Sequence, residues 1–275
     1  MRKMKSLLLK SLCAISILIA FVFVMAIVIY IFAGGIPYIT PHFLFGENST
    51  DNPSIYFAII TTLEMVGLSL LIAVPIGVCS AIYLCEYAKR GSKTVKVIGI
   101  ATETLAGIPS IIYGLFGALF FGTFFNMGYS VLCGTLTITI MILPTIIRTT
   151  EESIRAVPDS YREGSFGLGA GKLRTIRKIV LPSASRGIFT SIVLSVGRII
   201  GETAALIFTL GTVNKLPGTL FDSGRTLAVH MYISTRDGGM TGRNIAFATG
   251  SVLIILVVVI NIIATLLGRK AGKNK

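Results

Sequence analysis

Charge is what this sequence has least of. Of its 275 residues, 13% are Asp, Glu, Lys or Arg and 53% are hydrophobic, whereas a soluble globular domain is about one quarter charged. The apolar residues are also clustered into long runs, which excludes an ordinary soluble domain. Metal-ligating and nucleophilic residues are nearly as thin. The two histidines, His42 and His230, are far apart and neither has a nearby ligand partner, so a metal site has little support. The four cysteines, Cys13, Cys79, Cys85 and Cys133, lie in apolar runs without a C-x-x-C pair, and read as small hydrophobes packed among helices. No Ser/His/Asp or Cys/His arrangement appears at a recognisable local spacing, so nothing points to a hydrolase or to any chemistry catalysed by the chain itself. Acidic residues are few as well: 12 against 25 Lys and Arg, a net charge of +13. In a soluble protein that balance would raise nucleic acid as a partner. Here the distribution of the charge decides.

A membrane-spanning helix needs roughly 20 mostly apolar residues. Six stretches qualify: 12–32, about 55–84, about 100–124, 129–147, 188–210 and 245–267. They are too long for strands and lack the period-two alternation of a barrel, so the expected fold is all-α with six transmembrane helices. The first stretch follows Arg2, Lys3, Lys5 and Lys10, as a signal peptide would. Its apolar run is longer than a signal core and has no convincing cleavage site, so it reads as a retained span. With the N-terminus inside, segments 1–11, 85–99, 148–187 and 268–275 hold 4, 4, 8 and 4 basic residues, 20 of the 25. Four lie outside: Lys215, Arg225, Arg236 and Arg243. The positive-inside bias places both termini in the cytoplasm and makes the charge a matter of topology, without nucleic acid. Pro75, Pro109, Pro144 and the run GIPSIIYGLFG (107–117) punctuate the spans, and read as ordinary close helix packing. The outside segments are 33–54, a tight turn near 125–128, and 211–244. Within the last, 223–239 is mildly amphipathic and reads as a surface helix.

The stretch EGSFGLGAGKLRTIRKIVLP (163–182) has the look of a phosphate-binding loop. The Walker pattern fails: its first glycine position is Phe166 and its Ser/Thr position is Leu173. The dinucleotide pattern fails as well, because Lys172 stands where the third glycine belongs. What remains is a helix–turn–helix. Ser160 and Glu163 have the spacing of a capping box. Gly169 suits a left-handed cap. Lys172 to Val180 predicts a second short helix with Leu173, Ile176 and Val180 on one face, stopped at Pro182.

The stretch resembles the EAA loop of ABC-importer permeases, E-A-A-x3-G-x9-I-x-L-P. Its positions here are Glu163, Gly164, Ser165, Gly169, Ile179, Leu181 and Pro182, with glycine and serine replacing two alanines. The resemblance implies that segment 159–182 docks into an ATPase subunit and carries its ATP-driven motion to the membrane helices.

The fifth span carries GRIIGETAALIFTLG (197–211). Arg198 and Glu202 stand at i and i+4, on one face of a continuous helix. An arginine within a bilayer costs about 2.5–3.5 kcal/mol on insertion scales, so it faces a partner or a watered path. One reading is a mutual salt bridge, in the less favourable order. The other is an anion path. The guanidinium fork matches oxyanion oxygens, and the carboxylate accepts a hydrogen bond from a protonated anion. Phosphate keeps a proton at neutral pH and sulfate does not. Glu64 and Glu103, near span ends, read as interfacial.

Together with VPIG (74–77) and IYLCEY (82–87), these elements are similar to phosphate-specific ABC-importer permeases of the PstA type, from about residue 55 onward. The resemblance implies a type I permease architecture in a bacterial or archaeal cell membrane. Implied partners are a second, homologous permease subunit, two copies of an ABC ATPase carrying ATP and Mg, an extracytoplasmic phosphate-binding protein and membrane lipid. The organisation would be a tail, first span and loop over 1–54, a transmembrane unit over 55–268 and a basic tail over 269–275. Competing readings are a permease for another oxyanion or small nutrient, an ion-coupled secondary transporter, and a six-span channel.

Overall fold

The computed structural model describes residues 2–49, 52–89 and 91–273; Arg90 and Lys275, counted among the inside cations, lie outside them. Among the described residues every regular element is helical. They are α1 (Arg2–Gly35), α2 (Pro41–Phe45), α3 (Tyr56–Ile82), α4 (Lys93–Ala106), α5 (Ser110–Gly117), α6 (Val131–Arg155), α7 (Asp159–Gly167), α8 (Lys172–Thr175), α9 (Leu181–Gly201), α10 (Ala204–Thr209), α11 (Leu227–Asp237) and α12 (Gly239–Lys273). Three π-helical turns, Tyr83–Tyr87, Ala118–Phe124 and Ile176–Val180, follow α3, α5 and α8.

Among the described residues, five helical stretches are long and apolar enough to cross a membrane: Lys10–Tyr38, Tyr56–Tyr87, Val131–Arg155, Lys172–Gly201 and Gly239–Leu266. The third expected span differs. It is two helices, Val95–Ala106 and Ser110–Phe124, bent by 101°. The cause is local. Gly107 ends α4, and Pro109, extended at ψ 141°, starts α5. A proline disfavours helical geometry at the residue before it and cannot donate to the preceding turn. Pro75 and Pro144 sit inside α3 and α6 without such a break. A proline inside a spanning helix is tolerated where packing against neighbouring helices holds the segment, as α3 and α6 hold each other.

The core is built around α6. Its Ile138, Met141, Ile142 and Ile146 are fully buried against Met65 of α3, Ile199 and Ile200 of α9, and Leu206 of α10. α1 lies against α12 and not in this core. Tyr30 meets the edge of Phe247, and Ser251 Oγ donates to the Ile31 carbonyl at 3.2 Å. The rest of α1 from Leu12 to Ile29 turns large apolar side chains outward, as suits a helix in lipid.

The segment 223–239 is a surface helix only in its second half, where Tyr232, Thr235 and Arg236 are exposed; its first turn is buried. Thr226 caps α11 by accepting from Val229 N–H, and the Leu227 amide donates to Thr62 Oγ1 of α3 at 3.0 Å. Leu227, Ala228, Val229 and His230 are all buried. Burial by α3 and α12 is a tertiary contact that a local pattern does not contain.

Candidate functional site

The sequence-predicted site residues fall on two features: the hairpin of α7 and α8, and the break between α9 and α10.

In the hairpin, Pro158 precedes α7 and no side chain caps it. Ser160 is therefore inside the first turn, and the Ser160–Glu163 capping box does not form. Gly169 does adopt the left-handed conformation, at φ +80°, and its N–H donates to the Phe166 carbonyl at 2.9 Å. The two small residues of the motif face opposite ways. Ser165 is buried, with Oγ 2.8 Å from Thr175 Oγ1, closing α7 onto α8. A Cβ on Gly164 would meet nothing within 4 Å. On the open side, Tyr161, Phe166, Leu168 and Leu173 are exposed, Leu168 to 90%. A concavity of about 540 Å³ lies among Tyr161, Gly164, Leu168, Arg174 and Ile179.

The second half of the hairpin departs from expectation in two ways. Ile176 and Val180 are buried, but Leu173 is exposed. Pro182 does not stop the helix, since the chain runs from Lys172 through the π turn into α9 without interruption. Pro182 directly follows the π turn, where the change of hydrogen-bond register already interrupts the ladder and proline's missing N–H costs less.

At the break, the reading of Arg198 and Glu202 on one continuous helix face is overturned. α9 ends at Gly201, and Glu202 is extended at φ −71°, ψ 125°. Among the described residues the two form no ion pair. Glu202 is buried and its Oε1 accepts from Ala205 N–H at 3.1 Å, serving the start of α10. Arg198 donates instead to Thr145 Oγ1 of α6 at 3.4 Å. Beside it, Gly197 and Gly201 leave open space where a Cβ would stand. The chain thus holds at a helix break a half-buried guanidinium that has no carboxylate partner among the described residues. Such a group presents donors to an anion. Across from this break, α10 packs on α5, the half-helix that follows the other break, so both interruptions adjoin one region of the fold.

Glu103 pairs with Arg148 at 3.9 Å, both exposed. Among the described residues no group of three or more His, Cys, Asp or Glu could hold a metal ion.

Motif spacing missed one constellation. Arg162, one residue before the motif, reaches Glu86 in the π turn after α3, with Nε and Nη2 at 3.0 and 2.9 Å from Oε1. The two are 76 positions apart, beyond any local signal.

Residues 73–273 match the family described as binding-protein-dependent transport system inner membrane component. A relative from Bacillus subtilis (strain 168), the probable ABC transporter permease protein YqgI, is 36% identical over 222 residues, covering 75% of each chain. The phosphate transport system permease protein PstA 1 of Mycobacterium tuberculosis is 32% identical over 222 residues, covering 80% of this chain and 72% of that one. Among solved structures, a bacterial alginate ABC transporter in complex with its pentasaccharide-bound periplasmic protein superposes with a TM-score of 0.70 over 97% of this chain and 95% of that one, at 19% identity. Helices, breaks, hairpin and matched sequence converge: the chain belongs to the binding-protein-dependent transport system inner membrane components, and is a permease subunit of an ABC importer.

Proposed function

We propose that this permease carries inorganic phosphate, that the α7–α8 hairpin docks into an ATPase subunit, and that Arg198 and Glu202 border the path. The observation that carries the anion reading is the Arg198 guanidinium, half-buried at a helix break with one long hydrogen bond and, among the described residues, no carboxylate partner. A desolvated arginine left in that state is costly. An oxyanion offers it paired acceptors. Several curated relatives are named as phosphate transport permeases, including PstA 1 of Mycobacterium tuberculosis, and this supports phosphate as the oxyanion. Glu202, buried beside the same break, would accept a hydrogen bond from the proton that phosphate retains, and would repel an anion without one.

Coupling follows from the hairpin. Glu163, Gly164, Ser165, Gly169, Ile179, Leu181 and Pro182 shape it, and its exposed Tyr161, Phe166, Leu168 and Leu173, ringed by Lys172, Arg174, Arg177 and Lys178, suit a groove on another subunit. ATP and Mg would be held by that subunit. A second permease and an extracytoplasmic binding protein would complete the assembly, with the hairpin in the cytoplasm. Closure of the ATPases moves the hairpin, α9 follows through the uninterrupted Lys172–Gly201 helix, and access to the Arg198 region switches sides.

The test is radiolabelled phosphate uptake at low concentration in the host, with the native chain or Arg198→Ala at matched membrane levels. Loss of high-affinity uptake with the assembly intact is the expected result. Uptake unchanged by Arg198→Ala removes the arginine from the mechanism. Uptake unchanged by deletion of the gene, in a host without another phosphate importer, removes phosphate and leaves another oxyanion or nutrient.

A further inference from the structure

The α7–α8 hairpin is joined to the bundle covalently at both ends, from α6 through residues 156–158 and from α8 through the π turn Ile176–Val180 into α9. Side chains add contacts to the end of α3: Lys172 stands over the Tyr87 ring at 5.0 Å, and Arg162 reaches Glu86. Arg162 of α7 uses all five of its N–H donors on fixed acceptors. Nε and Nη2 go to Glu86 Oε1 at 3.0 and 2.9 Å. Nη2 also reaches the Ile154 carbonyl at 3.0 Å, while Nη1 reaches the Val157 carbonyl at 2.8 Å and Asp159 Oδ1 at 3.1 Å. The Arg162 and Glu86 side chains are 14% and 9% exposed, unlike the other ion pairs described here, each of which has a partner more than half exposed.

The surroundings make this pair more than a brace within one element. The helix α7 packs chiefly on α8 and the π turn after it, its own hairpin. A cleft of about 730 Å³ opens beside it, bordered by Glu86, Gly91, Val95, Val157 and Arg162. Glu86 itself sits in the π turn Tyr83–Tyr87, closed by Ala88 N–H to the Tyr83 carbonyl at 2.9 Å. A π turn carries one extra residue per turn and is a common point of adjustment in a helix. A shift of α7 therefore pulls on the end of α3 through two charge-assisted hydrogen bonds that converge on one oxygen, Glu86 Oε1, next to a space that leaves room for the movement.

We infer that the Glu86–Arg162 pair is a non-covalent transmission point, carrying motion of the docking hairpin into α3 while the covalent joins carry it into α6 and α9. Both are positioning residues. This rests on the reading of the hairpin as the ATPase-docking element.

The test uses the whole importer, purified through a tag on this chain and reconstituted in liposomes. Three quantities are measured: ATPase subunit recovered per permease, ATP hydrolysis rate, and substrate transported per ATP. The variants are Glu86→Ala, Arg162→Ala, the double variant, and Glu86→Gln, which keeps size and an acceptor. Glu86→Ala is expected to retain the ATPase subunit and its hydrolysis, and to lower transport per ATP by about tenfold, the scale of a pairwise coupling near 1.4 kcal/mol. Arg162→Ala should do the same and the double variant no more, because the two act as one unit. Glu86→Gln should fall between Glu86→Ala and the native chain. Transport per ATP unchanged in Glu86→Ala overturns the inference, as does a double variant whose loss is the product of the single losses. Loss of the ATPase subunit in step with transport, at constant transport per ATP, assigns the pair a purely structural role and overturns it as well. If the native chain recovers no ATPase subunit, the docking reading itself fails and this inference with it, a result distinct from native docking with unaltered coupling in the variants.

Discussion

Gly114 on α5 lies against the backbone of Ala205 on α10. A Cβ on Gly114 would stand 2.7 Å from Ala205 Cα and 3.0 Å from its carbonyl oxygen. Two half-helices, each beginning after a break, are thus joined backbone to backbone.

The first prediction concerns that contact. Backbone atoms cannot swing aside, so Gly114→Ala should force α5 and α10 apart and destabilise the bundle by about 1–3 kcal/mol. In thermal unfolding of the purified chain in detergent, Tm should fall. Gly99→Ala is the control, since a Cβ there meets nothing within 4 Å. It should leave Tm unchanged or slightly raised through better helix propensity. Equal Tm values for both variants would contradict the close approach.

Two glycines of the hairpin should behave oppositely. Gly169 has φ +80° with open space around it, so Gly169→Ala adds backbone strain alone, about 1–2 kcal/mol. Recovery of the ATPase subunit with the tagged permease should drop. Gly164 is helical and equally open, so Gly164→Ala should gain helix propensity of up to about 1 kcal/mol and retain full recovery.

Arg198→Lys keeps the charge and loses the planar fork. Phosphate uptake should fall by about tenfold, equivalent to ~1.4 kcal/mol. Thr145→Val removes the hydroxyl that holds the guanidinium from α6, a bond whose net worth is about 0.5–1.5 kcal/mol, and should cost less than Arg198→Lys. Glu202→Gln retains an acceptor for the Ala205 amide while removing the charge. It should narrow the preference for phosphate over sulfate without lowering Tm. Unchanged competition by sulfate would remove Glu202 from selectivity.

A pH dependence follows from His230. It is buried near the start of α11, with Nδ1 3.2 Å from Arg225 Nη1. Burial first, then the arginine's charge, pushes its pKa down from 6.5 to about 4. Nδ1 accepts from the guanidinium, so the neutral ring carries its proton on Nε2. Between these two values the unfolded chain binds a proton that the folded chain does not. The contribution to stability is full above the unfolded pKa and is lost as pH falls towards the folded one. Tm should therefore decline from roughly pH 7 to about pH 4, and His230→Gln should decline less over that range. Parallel declines would show that His230 is not the group responsible.

Much of this protein was legible in one dimension. The long apolar runs at 12–32, 129–147 and 245–267 imply membrane helices because the requirement, about 20 residues that bury every backbone polar group within the segment, is local. The hairpin motif was legible for the same reason: Gly169 needs a left-handed φ whatever surrounds it. The 101° bend at 107–109 was not legible in the same way: its Gly-x-Pro reads as ordinary close packing, because prolines such as Pro75 and Pro144 sit inside spans that do not break.

What only the tertiary structure decided is where helices end and what their side chains then meet. The i, i+4 relation of Arg198 and Glu202 assumes a helix that continues. It ends at Gly201, where α10 turns onto α5 and Glu202 serves a new helix start, so the two residues part and Arg198 reaches α6 instead. Pro182 looked like a stop because the π turn before it, which lets the chain pass into α9 at a position where proline is tolerated, has no sequence signature. Glu86 and Arg162 meet only because α3 and α6 stand side by side and bring their ends together. Spacing along a chain sets what each segment is; packing between segments decides which charges are left without partners, and in this permease those charges are where function is read.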